Sequence, residues 1–171
     1  DINEAIDGIF LNSIFAIAGS GEAAQYVNGI WYGSLDYLNP SAGYWMVAYE
    51  NAQFQFNQPD YDAPPRNSSG SRNDAPDLFT FNQSPYQAFY WTTDAYIDGI
   101  PLVVGEDWIG AFYGDVCIGA REWSGWSTHG TPTDIPVMGF DIAIEATQNY
   151  IVAGEYPRFV VYDASEDTYY D

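Results

Sequence analysis

The sequence predicts an all-β protein with minor α content: a β-sandwich over residues 78–171, preceded by a small helix-plus-strands module over 1–57. Three observations predict it. Aromatic side chains make up 18% of the chain, and they favour pleated, half-buried surfaces, while 16 Gly and 10 Pro supply turns. Residues 106–123 read as two short apolar runs split by Gly114-Asp115, a β-hairpin. Residues 58–77, rich in Pro, Ser, Asn and Asp, interrupt the pattern and read as a linker between two units. A structureless stretch of that length is unusual within one compact unit.

The hairpin is the organising element of the second unit. Trp108, Gly110 and Phe112 fall on one parity and Ile109, Ala111 and Tyr113 on the other, so both faces are apolar or small and the hairpin belongs in the centre of a sandwich. After the turn, Val116, Ile118 and Ala120 alternate with Cys117, Gly119 and Arg121. Around it the patterning predicts strands at 78–82, 86–96, 102–104, 107–113, 116–122, 136–140 and 158–163, with 123–135 and 141–157 as loops.

In the first unit, Asp1-x-x-Glu4 resembles a capping box and apolar residues recur at helical spacing as far as Ile17. Gly8 interrupts that pattern, which places a helix at 11–18, stopped by Gly19-Ser20-Gly21. Strands follow at 23–27, 30–35, 44–50 and 52–56, the first two joined by the hairpin signal Asn28-Gly29.

Charge excludes whole classes of function. There are 24 acids against four basic residues, for a net charge of −20. Binding a phosphate backbone needs clustered Lys and Arg, so nucleic acid is excluded as a partner, and anionic membrane surfaces are disfavoured. No run of about 20 apolar residues is present, so no membrane insertion is expected. The chain opens at Asp1 without Met, which reads as a processed or excised fragment. A single cysteine, Cys117, excludes an intramolecular disulfide, and its apolar strand makes it a buried small hydrophobe.

Both halves resemble modules of large secreted bacterial surface proteins. Trp31-Tyr-Gly-Ser-Leu35 with Gly43-Tyr44-Trp45 resembles a W-x-G-S-L…G-Y-W module. Asp107–Gly119 with Phe159-Val-Val-Tyr-Asp-Ala-Ser165 resembles a sandwich module marked D-x-I-G-A-F-x-G-D-x-C-x-G and F-x-V-Y-D-A-S. The resemblance implies export, β structure, an extracellular or cell-surface location and a binding, adhesive or structural role without catalytic residues.

Each chemistry-bearing residue also has a plain structural role open to it. Asp107, Asp115, Asp163 and Asp167 are candidate Ca²⁺ ligands, because calcium takes loop carboxylates; equally, such residues cap turns. No twelve-residue EF-hand loop is present. Glu106, Asp107, Glu122 and Glu145 fix no carboxylate pair for glycoside hydrolysis. His129, the one histidine, lies in a loop without a nucleophile elbow, and one His with one Cys disfavours zinc. Asn67-Ser-Ser69 and Asn82-Gln-Ser84 match the N-glycosylation acceptor pattern. Trp123 and Trp126, in a Gly/Ser loop, together with Trp31 and Trp45, are candidate contact residues, since exposed aromatics stack on sugars or on proteins. Tyr169 and Tyr170 suggest strand pairing or a contact with another chain. The sequence therefore points to a non-enzymatic extracellular structural or adhesive protein that associates with itself or with other extracellular proteins through edge strands and aromatic patches. The alternative is a carbohydrate-binding module that takes polysaccharide on exposed Trp residues.

Overall fold

Two isoleucines three residues apart, Ile14 and Ile17, read as a helix in the sequence and lie in a strand in the structure. The computed structural model describes residues 1–6, 8–19, 21–52, 55–57, 75–125 and 132–171, with the backbone alone at residues 9 and 10. The chain forms two units, residues 1–71 and 72–171, and is all-β with minor helix.

In the first unit two single-turn helices, α1 (Ile2–Ala5) and α2 (Gly8–Leu11), precede β1 (Ile14–Gly19), β2 (Glu22–Val27), β3 (Ile30–Gly33) and β4 (Trp45–Ala48). The capping box at Asp1 and Glu4 is present. The strands form one antiparallel sheet in the order β3-β2-β1-β4. The helix expected over 11–18 is corrected: most of it is β1. A bulge at Phe15 explains the misleading spacing, because Ile14 pairs with Ala48 and Ile17 with Met46. Three residues on β1 thus span two on β4, and both isoleucines keep the same face. They join Ile2, Ile6, Ala24 and Leu35 in the buried core. Asn28 (φ 52°) and Gly29 (φ 88°) supply the left-handed pair that a two-residue hairpin turn requires. The strand expected over 52–56 is reduced to a bridge between Phe56 and Ile6 among its described residues, with Gln53 and Phe54 outside them.

The second unit contains β5 (Gln87–Thr92), β6 (Tyr96–Ile97), β7 (Ile100–Pro101), β8 (Trp108–Tyr113), β9 (Val116–Glu122), β10 (Thr133–Met138), β11 (Arg158–Asp163) and β12 (Thr168–Tyr170). A four-stranded sheet, β12-β11-β8-β9, lies against the β10-β5 pair in a sandwich-like arrangement, with β6-β7 as a separate hairpin. Strands β8, β9 and β11 fall where the patterning places them. Residues 77–79 form a 3-10 turn rather than a strand, 102–104 form none, and the strand expected at 136–140 begins at Thr133.

The central hairpin faces two cores. Ile109 and Ala111 point into the sandwich with Ile118, Ile135, Val137 and Met138. Phe112, Cys117, Ala120 and Val160 form a second core on the opposite face, closed by Phe79. The strict alternation expected along β9 is corrected by a bulge: Ala111 pairs with Gly119, but Phe112 pairs with Cys117, so Ile118 is the extra residue. Residues 118 and 119 therefore both face β10, and Cys117 and Ala120 share the other face. At Gly119 a Cβ would stand 1.7 Å from the carbonyl oxygen of Pro136, whereas at Gly110 it would meet the Phe79 ring at 2.6 Å. Backbone cannot yield as a ring can. Gly119→Ala is expected to cost about 3 kcal/mol or more, and Gly110→Ala less, which denaturant unfolding of both variants measures. Equal costs would contradict this packing.

Candidate functional site

Asp107 is 3% exposed, at the entrance to the central hairpin. Its Oδ2 accepts the Val103 N–H at 2.6 Å and its Oδ1 accepts the Ala164 N–H at 3.0 Å. It thereby ties the segment before β8 to the turn after β11, and both oxygens are engaged by the chain itself. Asp163 works locally: its Oδ1 accepts from the Ser165 N–H, the Ser165 hydroxyl and the Glu166 N–H, and these bonds hold its carboxyl below the usual carboxylate range. Asp167 sits in the same turn at φ 49° and accepts the Tyr162 hydroxyl, a bond that pushes that phenol up to about 12. Asp115 follows Gly114 in the exposed hairpin turn. Asp163 and Asp167 thus share one turn, to which Asp107 is tied through Ala164, while among the described residues no three His, Cys, Asp or Glu side chains form a group that could hold a metal ion.

The aromatic candidates separate by burial. Trp123, expected at the surface, is 4% exposed and belongs to the sandwich core. Its N–H donates to the Asp107 carbonyl at 2.7 Å and its carbonyl accepts from Gly105 at 2.9 Å, which extends the hairpin by one residue and keeps the indole on the inner face. Trp126 and His129 lie outside the described residues, as do residues 58–74 of the expected linker and the acceptor site at Asn67. Tyr169 and Tyr170 form strand pairs with β11. The Tyr169 ring meets Phe79 edge-on at 5.5 Å, and the Tyr170 hydroxyl donates to Glu166, which pushes it up to about 12. Trp31 is half-buried, tilted against Tyr26 at 4.9 Å.

Trp45 is the sequence candidate that stands clear, at 62% exposure, and it has company. Val47 and Tyr49 are 54% and 67% exposed. Trp45 pairs with Ala18 and Val47 with Ala16, on the face opposite Ile17 and Met46. Phe15, the bulged residue, sets its ring edge-on to Tyr49 at 5.4 Å. Across the sheet the same face continues through Gln25 and Tyr32. Strand β4 closes the sheet on one side, with no further strand beyond it among the described residues, and Tyr44–Tyr49 carries no charged side chain. The result is an uncharged sheet edge bordered by an aromatic face. Sequence reasoning named Trp45 but missed Val47 and Tyr49. The pattern was visible, since three alternate residues of one strand are large and apolar; the even/odd ambiguity of that strand hid which side was solvated.

No protein-family model matches the chain, and searches of curated proteins and of solved structures found no match. Among the described residues no helix is long and apolar enough to cross a membrane.

Two expectations follow. Asp107→Ala leaves two backbone donors without their acceptor and should destabilise the second unit by about 2–4 kcal/mol, read by denaturant unfolding. Cys117 is buried, and desolvation pushes its thiol up to about 11; the S–H donates to the Gly119 carbonyl at 3.4 Å. It should resist alkylation at mildly alkaline pH in the native state and react once denaturant is added; rapid native-state labelling would contradict its placement.

Proposed function

We propose that this is a non-catalytic extracellular structural or adhesive protein that associates through the β4 edge of its first unit. What carries the reading is that one edge: a strand paired on one side only among the described residues, bordered by Trp45, Val47 and Tyr49, with no charge and no proline along it. Edge strands present unpaired N–H and C=O groups and are ordinarily blunted by Lys, Pro or a covering segment. An edge left open in this way is suited to β-strand addition, in which main-chain hydrogen bonds bring affinity and alternate side chains bring specificity. The partner is another copy of the chain or a second extracellular protein. The resemblance of both halves to modules of secreted bacterial surface proteins supports the extracellular setting.

Electrostatics sets the conditions. Two chains with a net charge of −20 repel each other, and an uncharged contact strand lets them meet without placing further carboxylates face to face. Salt screens the repulsion without weakening the hydrogen-bonded strand pair. Association measured by sedimentation velocity should therefore strengthen as salt is raised. Val47→Lys, on an exposed side chain, should return the protein to monomer without loss of folding. A chain that stays monomeric at high concentration, at every salt concentration, and that captures no other surface protein from its own source would remove the reading.

A further inference from the structure

We propose that a cleft of about 540 Å³ in the first unit, on the far side of the sheet from the Trp45 face, binds a neutral saccharide, with Trp31 as its platform. The cleft is lined by the end of the β2–β3 hairpin (Gly29, Ile30, Trp31), by Asp36 and Tyr37, and by Asn3 at the start of α1. Its walls are held in place by the backbone: the Ile2 N–H donates to the Asp36 carbonyl at 3.0 Å, and the Leu35 N–H donates to the Ala23 carbonyl at 3.0 Å. Leu35 itself is 2% exposed, so the segment that carries Asp36 and Tyr37 is anchored in the core beside them.

The indole of Trp31 provides the observation that points to a ligand. Its Nε1 is buried and has no hydrogen-bond partner among the described residues. Buried polar groups are paired in the great majority of cases, and an orphan donor on a residue that lines a cleft is satisfied once an acceptor oxygen reaches it. The neighbouring groups restrict what that oxygen belongs to. Residues 1–57 contain no Lys, Arg or His, and the one positive group at the cleft, the Asp1 ammonium, is paired with Glu4 at 3.2 Å, so an anionic ligand would face the carboxylates of Asp1 and Asp36. Two aromatic side chains, Trp31 and Tyr37, line the cleft, and such rings stack on the C–H face of a pyranose, while Asp36 and Asn3 bring acceptors and an amide donor for its hydroxyls. An alkylammonium ion would also suit two rings and a carboxylate, but it brings no acceptor for Nε1. A neutral polyhydroxylated ring answers all of these features at once. This inference does not rest on the β4 reading, since none of its residues lies on that strand.

Affinity electrophoresis of the whole chain in gels containing neutral polysaccharides (a β-1,4-glucan, a xylan, a mannan, a β-1,3-glucan and starch) tests it, with polygalacturonate as the anionic counterpart. At least one neutral polymer should retard the protein, and polygalacturonate should not. Tyr37→Ala should weaken that retardation about tenfold, as expected for loss of a stacking contact. Trp31→Phe, which keeps a ring and removes the N–H, should weaken it severalfold. Tyr37 is 43% exposed, so its variant keeps the fold even if changes at Trp31 do not. Trp45→Ala should leave retardation unchanged, which separates this site from the β4 edge. The proposal is overturned if no neutral polymer retards the chain, or if Tyr37→Ala and Trp31→Phe bind as the wild type does. It is also overturned if tetramethylammonium chloride quenches tryptophan fluorescence through Trp31 while the sugars bind nowhere.

Discussion

The second unit depends on a place where two backbones touch. Strand β9 meets β10 at Gly119, so closely that the space a Cβ would need is filled by the Pro136 carbonyl. Sheets normally pack about 10 Å apart with side chains between them. Here the bulge at Ile118 turns two successive residues toward β10, and only one of them has a side chain. Ile118 fills the sandwich core while Gly119 lets the strands close. All six residues of β10 are buried in consequence, including Asp134. That carboxylate meets Arg121 at 3.2 Å, from the next position on the same face of β9. The pair has to be kept: a buried charge without its partner costs several kcal/mol, on the order of 3–5.

The same approach explains which parts of the second unit were legible. Strands β8, β9 and β11 announce themselves through apolar runs with clean ends. Strand β10 does not, since Thr133-Asp134-Ile135-Pro136 carries an acid and a proline, which argue against a central strand. Its acid is neutralised by a residue 13 positions away, and its proline lies opposite Phe89 in a pair of only two strands. Such compensations are tertiary, and local pattern does not contain them. Trp123 was misplaced for a related reason. A Gly/Ser composition after it signals a loop, yet the loop begins one residue later, because Asp107 and Gly105 extend the ladder with their backbones.

In the first unit the legibility failed at a period. Ile14 and Ile17 are three apart, and so is a helix face; a bulged strand produces the same spacing by spending one residue off the ladder. β-branched and aromatic content was the better guide there than spacing. The same bulge presents Phe15 to Tyr49, so the feature that disguised β1 also builds part of the aromatic face beside the β4 edge.

Acidity therefore divides the molecule by role. In the second unit carboxylates do internal work: Asp107 clamps the hairpin, Asp134 holds Arg121, and Asp163 and Asp167 shape the last turn. They are spent as acceptors for the chain's own donors, which is why dense acidity produced no metal cluster among the described residues. In the first unit the informative surfaces are where charge is missing. Strand β4 carries none, and no Lys, Arg or His side chain lines the cleft beside Trp31. In a chain with this much negative charge, an uncharged strand edge is a place where a neutral partner can approach without meeting a field of carboxylates. The Trp45 face and the Trp31 cleft lie on opposite sides of one sheet, so the two proposed contacts would not compete for the same surface.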